Sequence, residues 1–210
     1  MPKLQLKVLY QKAFAIYKLH WKFLVIITFG SSLIQYGLNF LANQFTQPAL
    51  AIPSSLISLA INTTITVGLI NVYLKLHDTN MANYPDLYSK LNLVGKTILA
   101  NLLYGLIITV GIILLIVPGL IFAIKYLFFS FLVVDKGLNP IEALKQSGRI
   151  TKGHRWQLLL LALSMALLNL LGTLLVFVGL LFTLPISMLV MTQAYRQLNV
   201  KPVPTQASAE

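Results

Sequence analysis

Lys145, Arg149 and Lys152 recur at intervals of four and three residues, so on an α-helix they form one basic stripe, which Arg155 prolongs. Such a stripe is suited to binding phosphate or another oxyanion through charge-assisted hydrogen bonds. A helix is the expected carrier, because Asn139 suits an N-cap and Pro140 a first helical position. Wound at about 100° per residue, it places Glu142, Lys145, Gln146, Arg149 and Lys152 on one arc. Ile141, Ala143, Leu144, Ser147, Gly148, Ile150 and Thr151 take the other. A helix of this kind lies in a membrane interface, where its cations either fix topology or bind a phosphate-bearing lipid or a partner.

Lys125 is the second residue with chemical potential, as the one charge inside an apolar span. Six residues separate it from Gly119, about 9 Å at ~1.5 Å per residue, which lets its stem snorkel to the outer surface. Phe122 and Phe129 share its helical face and are expected to offer cation-π contacts. An intramembrane cation is a functional candidate by default, and snorkelling is the competing account.

Catalysis finds little support. The five acids, Asp78, Asp86, Asp135, Glu142 and Glu210, have no spacing that marks metal ligation or acid-base work. His20, His77 and His154 are scattered, and His20 with Trp21, like His154 with Trp156, reads as an interface anchor. Cysteine is absent, which excludes disulfides and thiol chemistry. The expectation is a protein without enzymatic activity, cofactor or metal.

The elements that must hold these residues are membrane helices. Apolar residues make up 57% of the 210 positions and charged ones only 10%, with mean hydropathy +0.80, more apolar surface than a soluble domain of this length can cover. A net charge of +11 would point to nucleic acid in a soluble chain; here the charges punctuate apolar runs, so anionic headgroups are the expected counter-charge and nucleic acid is not. Each span needs about 20 residues to cross a ~30 Å core. Four expected spans run roughly Phe23 to Leu41, Leu56 to Leu74, Thr97 to Val117 and Leu120 to Val134, the last two joined by a reversal at Pro118-Gly119. No charge falls between Trp156 and Gln193, nearly twice the length of one span, so two more spans are expected there with a turn near Val178-Gly179. Asn62, Thr63, Thr64, Thr66 and Asn71 make the second span the most polar, for interhelical hydrogen bonds or for lining a polar path.

Between the spans, residues 4–22 are expected to form an interfacial helix and Pro85 to Leu91 a second, with Pro140 to Lys152 the third. These three segments each precede a hairpin of spans, which raises a threefold internal repeat. The lead before the first apolar run is too long for an ordinary signal peptide, so that run is expected to be retained. Every Lys and Arg except Lys125 falls on one side of the resulting topology, and the positive-inside rule makes both termini cytoplasmic. Residues 1–198 thus read as a single six-span domain, and 199–210 as a disordered tail.

Pro118-Gly119, Lys125-Tyr126, Asp135, Glu142-Ala143-Leu144, Ser147, Lys152-Gly153 and Trp156 together resemble the signature of the membrane-domain family found on some glycerophosphoryl diester phosphodiesterases. The pattern is similar also to the YciC-like bacterial inner-membrane proteins. Gly148 departs from it, since a bulkier residue follows the serine in those families. The resemblance implies a membrane module without the soluble catalytic barrel, for which six spans leave no room in this sequence.

The combined expectation is an all-α, multi-pass protein of a bacterial inner membrane that acts in envelope or lipid homeostasis. Lys145, Arg149, Lys152 and Arg155 would bind anionic lipid or a partner, which includes a membrane protein or a second copy. A small transporter or channel component using Lys125 and the polar second span is the alternative, and a lipid-modifying enzyme the third reading.

Overall fold

A chain whose polar backbone must be satisfied away from water has helices as its economical solution. In the computed structural model, which describes residues 4–44, 48–174 and 178–199, all regular structure is helical. The order is α1 (Leu6–Gln44), α2 (Pro48–Thr79), α3 (Val94–Leu114), α4 (Ile116–Lys125), α5 (Phe129–Lys136), α6 (Pro140–Ile150), α7 (Arg155–Leu174) and α8 (Val178–Asn199). Short 3-10 turns at Tyr84–Leu87 and Leu91–Leu93 link α2 to α3. The core gathers Leu9, Ala13 and Leu24 of α1, Tyr73 and Leu76 of α2, Leu132 and Val133 of α5, Leu158 and Leu161 of α7, and Leu189 and Val190 of α8. Large apolar side chains also cover the outside, among them Leu163, Leu167, Leu170 and Leu174 along α7, a surface suited to acyl chains rather than water.

Among the described residues, five stretches are long and apolar enough to cross a membrane: Leu6–Leu38, Pro53–Thr79, Tyr84–Leu114, Ile116–Lys136 and Arg155–Leu174. The expected sixth span is not among them. Its sequence forms α8, which packs along α1 and α7 and buries Ser187, Thr192 and Gln193 among its neighbours. Residues 200–210, where the disordered tail was expected, lie outside the described residues, and Asn199 still belongs to α8.

Several boundaries differ from the sequence expectation. The amphipathic stretch 4–22 is not a separate helix but the first part of α1, which bends at His20 (φ −120°, ψ 19°) and continues. Leu9, Ala13 and Tyr17 lie buried at steps of four, and the Tyr10 hydroxyl lies 2.9 Å from Ser164 Oγ of α7. The segment is therefore docked on the bundle along one face. Lys18 lies over the exposed Phe14 ring at 4.9 Å on the other side.

The second expected interfacial helix is instead a 3-10 turn pinned to α2. Asn83 opens it with a capping box closed by Asp86, Lys75 Nζ donates to Asp86 Oδ1 at 2.6 Å, and Asn71 Nδ2 donates to the Asp86 carbonyl at 2.9 Å. A Cβ on Gly68 would collide with the Leu87 carbonyl, so glycine is what lets this turn lie on α2. The three segments that precede the hairpins are thus the first half of a long helix, a 3-10 turn and an α-helix packed on α3 and α5, so they differ from one another in local structure.

The reversal between α3 and α4 falls at Leu115, whose extended backbone (φ −170°, ψ 147°) is the single non-helical residue between them. Pro118 sits in the first turn of α4, where a missing N–H leaves no intrahelical bond unmade. Gly119 serves close approach instead of the turn. A Cβ on Gly111 would stand 2.9 Å from its Cα, so the two helices touch backbone to backbone. Gly172 and Gly179 meet likewise across α7 and α8, where a Cβ on Gly179 would stand 2.7 Å from the Gly172 Cα.

Candidate functional site

The site begins where the fourth apolar span breaks. α4 stops at Lys125 and α5 starts at Phe129, so residues 126–128 interrupt the ladder of helical hydrogen bonds. Buried polar backbone freed in this way needs partners from the protein, and α6 supplies them. The Ser147 hydroxyl accepts the Phe128 N–H at 3.1 Å and donates to the Lys125 carbonyl at 3.2 Å. The Thr151 hydroxyl reaches the same Lys125 carbonyl at 2.9 Å. Both hydroxyl residues are fully buried. Gly137, left-handed at φ 65°, closes α5 and returns the chain so that α6 lies alongside it. Asn139 and Pro140 open α6 as the sequence predicts, and Pro140, Ala143, Leu144 and Ser147 form its buried side.

Beside α6 an open cavity of ≈ 620 Å³ brings together Lys125, Lys145, Arg149, Lys152 and Arg155. All five basic residues singled out in the sequence line it. Its remaining lining is largely apolar: Leu103 and Ile107 of α3, Tyr126 at the break, and Ile141, Leu144 and Gly148 of α6. Lys125 is half-buried, its ammonium 4.8 Å from the centre of the Tyr126 ring and 5.7 Å from that of Phe122. Phe129, the expected second ring, stacks instead on Tyr104 at 4.7 Å. The break is the reason, because it cancels the four-residue register that would align Phe129 with Lys125. A Cβ on Gly148 would press on Lys125 Cε at 3.2 Å. Glycine at this position thus gives the lysine stem its place against α6.

No ion pair involves these five cations among the described residues. Three acids are engaged elsewhere, and Glu142, in the first turn of α6, does not line the cavity. Asp86 holds Lys75, while Asp78 and Asp135 both hold Arg196. Attraction of cations to the C-terminal end of α6 accounts for Arg149 and Lys152. It does not account for Lys125 and Arg155, which reach the same cavity from other segments.

A second polar cluster escaped sequence reasoning. Arg196 donates through Nη1 to Asp135 Oδ2 at 2.9 Å and through Nη2 to Asp78, and the Tyr195 hydroxyl donates to Asp135 Oδ2 at 2.7 Å. The cluster joins the ends of α2, α5 and α8. Burial pulls the guanidinium pKa down, but the hydrogen bond and charge of Asp135, with the charge of Asp78, outweigh it and leave Arg196 above its ordinary value. Burial and then Asp135 push the Tyr195 phenol up, so its hydroxyl stays a donor. The signal in sequence was faint: Asp135 and Arg196 each border an apolar run and lie far apart along the chain.

Several of the remaining candidates have structural partners, whereas Asn62 Oδ1 and His20 Nε2 are buried without one among the described residues. Thr64 and Thr66 donate to the carbonyls of Ala60 and Asn62 on their own helix, and Asn71 holds the 3-10 turn. His154, expected at the interface, is buried and sits 2.9 Å from Gln157 Oε1. Trp156 is exposed. Among the described residues no cluster of His or acids could hold a metal.

Comparison with known proteins bears on this same region. A family described as "Protein of unknown function (DUF975)" matches residues 86–201. The chain belongs to the DUF975 family. Every residue that lines the cavity falls within the matched segment. The uncharacterized proteins Rv2560 of Mycobacterium tuberculosis and Mb2590 of Mycobacterium bovis are each 30% identical to this DUF975 chain over 118 residues, 53% of it and 36% of their own length. The chain thus spans about a third of the curated relatives it matches. These likenesses give no support to the phosphodiesterase membrane-domain resemblance, and no solved structure matches.

Proposed function

We propose that this DUF975 protein is a non-catalytic, multi-pass module of a bacterial inner membrane that binds anionic lipid at the cavity beside α6, in the service of envelope or lipid homeostasis. The observation that carries the reading is the convergence of Lys125, Lys145, Arg149, Lys152 and Arg155 on one cavity without an acid to neutralise them. Lys125 is half-buried, where a cation gains most from a counter-charge, while the other four are exposed and free to close on an anion, and a lipid phosphate supplies one. The apolar lining from Leu103, Ile107 and Leu144 suits the adjoining acyl chain. Native mass spectrometry of protein purified in neutral detergent tests this. Retained anionic lipid is expected, falling several-fold when Lys145, Arg149, Lys152 and Arg155 are changed to Gln. Retention that ignores the substitutions would refute the reading.

In this reading the apolar part of α8, up to Gln193, is a sixth span with both chain ends cytoplasmic, since the basic residues then share one side, Lys125 joining them through the cavity beside α6. A single cysteine at Gln44 should be labelled by impermeant reagent only from outside the cell. Labelling from the cytoplasmic side would invert the topology. The broken fourth span favours one second reading, a small transporter component, because interrupted helices line substrate sites in such proteins. Proteoliposomes that move no phosphate ester or inorganic ion would eliminate it.

A further inference from the structure

Charge balance at the cavity limits what a single phosphate can do there. Five cations line it and no acid does. A phosphodiester headgroup brings one negative charge and a phosphomonoester at most about two, so either leaves three or more cations uncompensated. Two unit charges ~4 Å apart repel by about 1 kcal/mol even at the dielectric constant of water, and by more beside apolar walls. Drawing all five cations onto one phosphate is therefore opposed by their mutual repulsion.

The cations are also strung out along one axis. Lys145 and Arg149 stand on successive turns of α6. Thr151 and Lys152 still bond back to Ser147 and Arg149, so the spiral carries on past Ile150. From Lys145 to Lys152, at ~1.5 Å per residue, the row is about 10 Å long, several times the width of a phosphate group. Lys125 joins it part-way along. A Cβ on Gly148 would stand 3.2 Å from Lys125 Cε and 3.6 Å from its Cγ, which lays the stem on α6 between the levels of Lys145 and Lys152. Arg155 follows where the chain turns at Gly153, left-handed at φ 87°, into α7.

Resting on the lipid-binding reading, we propose that the ligand is a lipid whose headgroup carries two phosphates about one helical turn apart, ~5.4 Å, each taken by a different part of this row. Lys145 and Arg149 hold one phosphate, Lys152 and Arg155 the other, and Lys125 lies between them at Gly148. Phosphates bridged by a short polyol have such a separation, whereas those of a diphosphate share an oxygen and lie closer. Leu103 and Ile107 take the start of an acyl chain.

Native mass spectrometry of the unaltered protein in neutral detergent tests this with two pairs of probes, each compared at equal concentration. Dioleoyl phosphatidylinositol 4-phosphate and dioleoyl phosphatidylinositol have the same chains and differ by one phosphate. Tetraoleoyl cardiolipin and dioleoyl phosphatidylglycerol also differ by one phosphate, with no monoester in either. In both pairs the two-phosphate lipid should be retained several-fold more. A gap in one pair alone overturns the inference, because a dianionic monoester accounts for the first and additional chains for the second. Equal occupancy within both pairs overturns it too, while the lipid-binding reading stands. If none of the four lipids is retained, that reading itself falls. Soluble inositol 1,4-bisphosphate carries the two phosphates without chains and should not displace phosphatidylinositol 4-phosphate at equal concentration. Displacement would identify a soluble ligand and refute the lipid. Arg149→Gln with Lys152→Gln removes one cation from each part of the row. It should weaken both members of each pair, the two-phosphate lipid by the larger factor. A ratio that survives this double change overturns the assignment of the phosphates to the row.

Discussion

Arg196→Leu is expected to destabilise the protein by about 2–3 kcal/mol, below the ~3–5 kcal/mol for removing one partner of a fully buried ion pair, because Arg196 and Asp135 are only partly buried. The size follows from what stays behind. Asp135 is only 17% exposed in its side chain and would keep the Tyr195 hydroxyl as its one remaining partner from α8. Asp78 is 42% exposed and regains water easily, so its share of the loss is small. Arg196→Lys should fall between, because an ammonium keeps the charge but cannot serve Asp135 and Asp78 with the same fork. Reversible unfolding in mixed micelles measures the loss. The double change Arg196→Leu with Asp135→Leu should recover much of it, since no buried charge is left alone. If the double variant is as unstable as Arg196→Leu, the account by an abandoned carboxylate is wrong.

The second large effect is expected from Ser147→Ala combined with Thr151→Val. Each substitution keeps volume and helical compatibility, so packing is nearly conserved. Together they strip the Lys125 carbonyl and the Phe128 N–H of their α6 partners. A buried polar group left without a partner costs about 1–3 kcal/mol, and two are stranded here. Hydrogen exchange should report the loss locally, with faster exchange at residues 126–129 and in α6. Lipid retained at the cavity should drop in parallel, because the same contacts set the distance between Lys125 and the α6 wall. Unchanged protection at Phe128 would show that the break is held by something other than α6.

Much of this was legible from residue types. Asn139 and Pro140 marked the start of α6, and the spacing of Lys145, Arg149 and Lys152 marked its exposed cations. Those signals are local, within one or two helical turns, and local rules carry them. What was not legible depends on distant partners. The break after Lys125 has no proline or glycine to announce it, since Tyr126, Leu127 and Phe128 would continue a helix in isolation. It exists because Ser147 and Thr151, placed at a step of four on the side of α6 that reads as apolar, offer an alternative to the helical ladder. Missing the break also misplaced the aromatic partner of Lys125, giving Phe129 where Tyr126 belongs. Pro118-Gly119 misled in another way, because a proline fits a turn and a first helical turn equally well. Only the contact between Gly111 and Gly119 separates the two, and that contact lies across the hairpin.

The single residue Leu115 between α3 and α4 has a bearing on how the protein can be reached. A connection that short offers no loop to a receptor, a protease or an antibody on the side away from the basic residues. Through this hairpin, a change of conditions on that side is carried along the helices, as a change in their tilt or spacing. In α3 and α4, such a displacement would pivot on bare glycine backbone and be felt at Lys125, ten residues down the hairpin's second arm.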